Sequence, residues 1–278
     1  MFTLSHAVLE GFRQSLLEEE RSAATVEKYM YAAQSLADHA GRQLYGKAQV
    51  VAFKKSLEEN YAPATVNAMI AGVNRFLKFL GLPEWRLRSL KVQRAAFIPQ
   101  EKELTRSEYE TLVRTAMAEG NDRLAMILQT ICATGLRVSE LRFITVEAVE
   151  RRCARISSKG KIREILLPGR LCKALKEYCK KHNIKSGAVF VTAHGKPVTR
   201  QSVWWMMKRL AKRAGVSPRK VFPHNLRRLF ARIYYKSSKD IVRLADILGH
   251  RSVDTTRIYT ARSQREQRRQ LDKLALIL

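Results

Sequence analysis

Apolar residues recur every three to four positions through the first 80 residues, the spacing that gathers them on one face of a helix. Val8, Leu9, Phe12 and Leu16 set this stripe over residues 4–20, and Val26, Tyr29, Met30, Ala33 and Leu36 over 22–41, with Ser22 as N-cap. A third helix is expected over 49–60. A fourth opens at Pro63, whose fixed φ suits a first helical turn, and runs through Val66, Met69, Ile70, Val73, Phe76, Leu77 and Leu80. Gly81 then supplies a C-cap and Pro83 a stop. Four helices with short connections predict a small bundle.

The period fails over 84–104, where Arg86, Arg88, Lys91, Arg94 and Lys102 predict a basic interdomain linker that either follows a phosphate backbone or lies solvated. Thr105-Arg106-Ser107-Glu108 is a capping box that opens a second domain with a helix to about residue 119. Residues 122–133 read as a buried apolar helix, broken by Gly135, which places Arg137 at the start of a short helix. Residues 155–158 and 162–167 predict a hairpin around the polar turn Lys159-Gly160-Lys161. Beyond it a helix is expected over 171–181, a strand over 188–191, and helices over 200–214, 224–236 and 239–248. A short helix then holds Tyr259, and a last one covers 264–278. The fold class is mainly α with a small antiparallel β-sheet, divided into a helical domain 1–83, a linker 84–104 and a second domain 105–278.

Charge narrows the function. Lys and Arg number 52 against 25 Asp and Glu, a formal net charge of +27. Such a surplus repels itself unless a polyanion shares it. Nucleic acid is the first candidate and an anionic membrane the second. No run approaches the roughly 20 apolar residues of a membrane span, and the N-terminus lacks the basic start and apolar core of a signal peptide. Cys132, Cys153, Cys172 and Cys179 form no Cys-x-x-Cys pair, so reduced thiols in a cytoplasm are expected and a metal site is not.

In-line attack on a phosphodiester needs a nucleophile, cations on the phosphate oxygens and a proton for the leaving oxygen. Arg137 and Arg227 are candidate phosphate clamps, since guanidinium grips oxygens bidentately. Glu140, one turn after Arg137, can orient a cation. His224 shares a helix face with Arg227, and His224 and His250 can donate to phosphate or carry a proton. Lys159 at the hairpin tip is a candidate general acid, with Lys161 competing for the role. Tyr259 is the candidate nucleophile. Taken singly each has an ordinary structural alternative: a surface arginine, a turn lysine, a buried histidine, a packed tyrosine.

Their order is more specific. Ala133-Thr134-Gly135-Leu136-Arg137-Val138-Ser139-Glu140-Leu141, the Lys159-Gly160 turn, His224-Asn225-Leu226-Arg227, Leu248-Gly249-His250 and Thr255-Thr256-Arg257-Ile258-Tyr259-Thr260 resemble the motifs of the tyrosine recombinase (phage-type integrase) family in its two-domain, Xer-like form. The resemblance covers the catalytic half by motif, and the N-terminal half, similar to the family's SAM-like core-binding domain, by length and helix count. Arg228, Leu229 and Ala261 depart from the residues frequent in the family beside those motifs. The resemblance implies that Tyr259 attacks the scissile phosphate to give a 3′-phosphotyrosine, which a 5′-hydroxyl from a partner duplex then resolves. It implies that Arg137 and Arg227 clamp the phosphate, Lys159 protonates the leaving oxygen, His224 assists proton transfer, His250 bonds the phosphate and Glu140 supports the site. No cofactor is required, neither ATP nor a metal.

For the grip on double-stranded DNA, Arg200, Gln201, Lys208 and Arg209 are expected to face the duplex from helix 200–214 while Trp204 and Trp205 pack. Thr25, Lys28 and Asn67 are further candidates in the helical domain. Two domains joined by a basic linker would clamp DNA between them. Leu271, Leu274, Leu276, Ile277 and Leu278 make an apolar terminus that folds back in cis or, as the resemblance implies, docks in a neighbour within a homo-tetramer on DNA; the free protein is then a monomer or dimer. No domain for accessory arm sites is expected ahead of the helical one. A type IB topoisomerase-like enzyme and a non-catalytic DNA-binding protein remain as alternatives. A clamp with six or more phosphate contacts loses about 1,000-fold in affinity between about 50 and 200 mM salt. Fluorescence anisotropy on labelled duplex measures this, and a flat salt response excludes the clamp.

Overall fold

The computed structural model describes residues 1–91, 103–158, 161–192 and 194–249, together with Val253, Thr256 and Asp272. The backbone divides into two units, Met1–Arg94 and Ala95–Leu278.

In the first unit the apolar stripes form α1 (His6–Glu18), α2 (Ala23–His39), α3 (Lys47–Asn60) and α4 (Pro63–Phe79). Ser5 starts α1 by accepting the Val8 N–H, and Pro63 occupies the first turn of α4. Gly81, at φ 75°, reverses the chain after α4 while the Leu82 N–H reaches the Leu77 carbonyl at 2.9 Å. Phe12 of α1 and Phe76 of α4 meet in the core, ring centroids 4.9 Å apart. α2 and α4 cross closely at Gly72, where a Cβ would lie 2.6 Å from the Ala32 Cβ. Two-residue strands β1 (Phe2–Thr3) and β2 (Gln43–Leu44) pair antiparallel; strands this short carry no readable period.

The first part of the expected linker is docked rather than free. After a 3-10 turn at Pro83–Trp85, the chain lies along α3 and α4. Asn74 accepts the Leu87 N–H (2.8 Å) and donates to the Leu87 carbonyl (2.9 Å), and Asn67 does the same for Leu90 (2.7 and 3.0 Å). Lys47 and Lys54 donate to the carbonyls of Glu84 and Arg88. Two carboxamides seven residues apart thus act as strand partners, and Leu87 is buried. Asn67 is therefore a fastener for the chain in the free protein. Arg86, Arg88 and Lys91 stay exposed.

The second unit is built around α6 (Asp122–Thr134), buried on all sides against α5 (Arg106–Ala118), α8 (Gly169–Lys181), α9 (Arg200–Arg213) and α10 (Pro223–Ser238). The capping box forms as expected, with Thr105 and Glu108 bonded reciprocally. A five-residue α7 (Val146–Glu150), too short to show a period, leads into the hairpin of β3 (Cys153–Ser158) and β4 (Lys161–Leu166). Its register runs from Cys153↔Leu166 to Ser158↔Lys161. The strand expected over 188–191 does not form. Single bridges, Thr145↔Ala188 and Val191↔Pro197, flank the fully buried Val189 and Phe190. The Val189 N–H donates to the Ile144 carbonyl and the Phe190 carbonyl accepts the Val198 N–H, so the run pairs on each side by isolated bonds without extending into a strand. The last described helix is α11 (Ile241–Leu248). The expected helix around Tyr259 and the one over 264–278 lie outside the described residues, Val253, Thr256 and Asp272 apart.

All four cysteines are free thiols, and burial raises Cys132 to about 12. Among the described residues no helix is long and apolar enough to cross a membrane.

Gly72→Ala is expected to destabilise the first unit by about 1–3 kcal/mol through overpacking against Ala32. Gly11→Ala, whose Cβ meets only Phe79 at an ordinary 3.4 Å, stabilises α1 by roughly 0.5–1 kcal/mol. Hydrogen exchange of the α1 and α4 amides in the full chain reads both.

Candidate active site

A helix leaves its last carbonyls without amide partners. α11 ends at Gly249, in the left-handed region at φ 62°, and three successive carbonyls there receive guanidinium groups. Ile247 accepts from Arg163 at 2.6 Å, Leu248 from Arg227 at 2.5 Å, and Gly249 from Arg137 at 3.4 Å. The other terminal nitrogen of Arg227 donates to Gly135, the C-cap of α6. The negative ends of two helices thus meet on one buried cation. Arg227 is only 2% exposed.

Local sequence explains this convergence. The Thr134 hydroxyl donates to the Thr130 carbonyl and accepts the Leu136 N–H, tightening the end of α6. Gly135 takes φ 66° where a Cβ would stand 2.4 Å from the Phe230 ring on α10, so no larger residue fits. The chain emerges at Arg137, extended, as N-cap of a 3-10 helix Val138–Phe143. Glu140 on that helix is 3% exposed. Its carboxylate accepts the Arg137 N–H (2.7 Å), the Arg137 side chain (3.1 Å) and Arg163 of β4 (2.8 Å). A buried carboxylate is tolerated only with such partners. Burial lowers the Arg163 pKa from its ordinary value; Glu140 opposes this, while Arg137 adds to it. Arg163 also fills the space beside Gly249, where a Cβ would lie 2.7 Å from its Nη1.

His224, in the first turn of α10, lies at the surface beside these cations. Partial burial of the ring, then repulsion from Arg228, Arg227, Arg137 and Arg200, pulls its pKa down to about 4. At neutral pH it is therefore an uncharged imidazole within a ring of guanidiniums. Arg137, 44% exposed at its side chain, and the exposed Arg200 make this a cationic surface suited to an anion.

The fold brings Arg137, Glu140, His224 and Arg227 together and adds Arg200 from the first turn of α9. Lys159, His250 and Tyr259 lie outside the described residues; Thr256, three positions before Tyr259, is fully buried. Arg163 was missed by sequence reasoning. Its signal was a charge at an inward position of an alternating strand, on the face shared with the buried Ile165 and opposite Ile156.

On α9, Gln201 and Arg209 are exposed. Lys208, expected at the DNA, is engaged within the protein. It donates to the Pro218 carbonyl and lies over the Trp204 and Phe222 rings, 5.2 and 5.6 Å from their centroids. Nor do the tryptophans pack into the core. Val203, Met207, Leu210 and Ala211 take the core face, which leaves Trp204 and Trp205 edge to face at the surface. In the first unit Lys28 is exposed, and Thr25 shares a hydroxyl bond with Ser22.

A model of the phage integrase family matches residues 102–266. The chain belongs to the phage integrase family. It is 30% identical to the tyrosine recombinase XerA of Pyrococcus furiosus over 268 residues, covering 93% of this chain and 90% of that protein. It is 32% identical to the tyrosine recombinase XerC of Roseiflexus castenholzii over 91% of this chain and 88% of that protein. The fold is shared with a lambda integrase tetramer solved on a Holliday junction, at a TM-score of 0.73 and 17% identity, over 91% of this chain and 76% of that one.

For this integrase the His224 shift gives a signed expectation. Its folded pKa, about 4, lies below the ordinary ~6.5, so the unfolded chain binds more protons between those values. The stability His224 contributes is present above about pH 6.5 and is lost as pH falls towards 4. NMR titration of the free protein should place its imidazole near 4. Added duplex should raise that value, because a phosphate offsets the surrounding cations. A titration near 6.5 in free protein overturns this account.

Proposed function

We infer that this chain is a site-specific DNA recombinase that cuts and rejoins DNA strands through a 3′-phosphotyrosine. The observation that carries this is the phage integrase match over the residues that gather Arg137, His224, Arg227 and Arg200 into one cationic site. Tyr259 Oη attacks the scissile phosphorus, the bond from phosphorus to the 5′-oxygen breaks, and Lys159 gives that oxygen a proton. A 5′-hydroxyl of a second duplex then attacks the phosphotyrosine, returning the phenol and sealing a new strand. One phosphodiester replaces another, so no external energy source enters the balance.

Arg137 places its cation where negative charge grows in the pentavalent transition state, which is where a preorganised donor lowers the barrier. Arg227 holds the backbone of two helix ends at the site and joins Arg137 in clamping the phosphate. His224, neutral before binding, donates to the phosphate and helps move the phenolic proton. His250 adds a further donor, and Glu140 fixes Arg137. Arg200, Gln201 and Arg209 contact the duplex from α9, and Lys28 with Thr25 from α2. The partner is double-stranded DNA, on which four copies assemble, as four lambda integrase subunits do on a Holliday junction. The protein acts in the cytoplasm.

The test incubates the full chain with sheared genomic DNA of its source, denatures it, and measures DNA covalently bound to protein. Wild type is expected to form the adduct. Tyr259→Phe abolishes it while leaving DNA affinity within about fivefold, because one hydroxyl contributes only ~1 kcal/mol or less. An adduct of wild-type yield in Tyr259→Phe overturns the assignment of the nucleophile.

A further inference from the structure

We propose that Arg163 is a positioning residue that neutralises Glu140 and so leaves the charge of Arg137 available to the scissile phosphate. The inference rests on the recombinase function above. Arg163 is half-buried, its side chain 19% exposed, and its two terminal nitrogens are committed to Ile247 and Glu140. It is withdrawn from DNA, so its contribution to the reaction passes through its partners.

Glu140 stands between two arginines of different kind. Arg163 is half-buried and bound within the protein, whereas Arg137 is exposed and reaches the same carboxylate with one nitrogen at 3.1 Å. Two cations and one anion leave a single net positive charge, and geometry assigns it to the exposed partner. Without Arg163, the whole charge of Glu140 falls on Arg137. Arg137 would then close on the carboxylate bidentately, the arrangement this pair favours. Its field at the phosphate would be cancelled by an anion about 3 Å away.

The same guanidinium also sets the backbone that enters the Leu248-Gly249-His250 motif. It binds the Ile247 carbonyl and lies where any side chain at Gly249 would fall, 2.7 to 2.9 Å from an added Cβ. Arg163 therefore ties three segments to one charge balance: the β4 strand, the Arg137 corner and the end of α11. A role of this kind differs from bulk stability, because it predicts that removing the carboxylate compensates for removing the arginine.

The experiment compares Arg163→Met, Glu140→Gln and the double variant with wild type. The probe is the genomic fragment most enriched in the wild-type adduct, prepared as a nicked duplex. Adduct formation is timed at saturating protein, and DNA affinity and thermal melting are recorded for each variant. Arg163→Met is expected to slow cleavage about 100-fold, the scale lost with an outer partner of a catalytic group, with DNA affinity unchanged. Adding Glu140→Gln recovers at least about tenfold of that loss, and Arg163→Lys, which keeps the charge, retains more activity than Arg163→Met. Losses that simply multiply in the double variant overturn the proposal, as does an Arg163→Met enzyme as fast as wild type. If Arg163→Met does not fold, a slower rate for the folded Arg163→Lys variant, relieved by Glu140→Gln, still supports the proposal, and additive losses there overturn it. Absence of any adduct with wild type removes the recombinase function itself, an outcome distinct from failure of the cycle.

Discussion

The last carbonyls of α11 have no amides to bond, and guanidinium groups take the place of those amides. Arg163, Arg227 and Arg137 cap Ile247, Leu248 and Gly249 in turn, and Arg227 reaches on to Gly135 at the end of α6. This one capping arrangement joins α6, α10, α11 and the β4 strand. A helix C-terminus carries partial negative charge, so the cations that hold the corner together are stabilised where they stand. Two glycines make the approach possible: Gly135 against Phe230, and Gly249 against Arg163.

Concentrating arginines in this way has an electrostatic cost in the free protein. Glu140 offsets part of it from within. His224 records the rest, since desolvation and four nearby guanidiniums hold it neutral well below its ordinary pKa. Under the proposed function, an arriving phosphate would relieve that repulsion, turning the surplus of positive charge into DNA binding. The whole-chain charge of +27 repeats the same logic at long range.

Several elements were legible because their causes are local. The capping box at Thr105 and Glu108, Pro63 opening α4 and Gly81 reversing the chain each depend on residues within one helical turn. Others were not. Asn67 looks polar and exposed in sequence, yet it fastens Leu90, 23 residues away. Lys208 is basic like its neighbours, yet Trp204, Phe222 and the Pro218 carbonyl hold it. The apolar run at Val189 and Phe190 has strand composition, but its neighbours at Thr145 and Pro197 meet it only through single bridges.

By itself the sequence determined the helical stripes, the turn residues, the net charge and the order of Arg137, Lys159, His224, Arg227, His250 and Tyr259, because each is a property of residue type and spacing. Tertiary structure alone decided what each charge is free to do. It buried Arg227 beneath two helix ends, paired Arg163 with Glu140, left Arg137 exposed and lowered the proton affinity of His224. The physical reason is distance: hydrogen bonds and desolvation act over a few ångströms, between groups as far apart in the chain as Arg137 and Gly249.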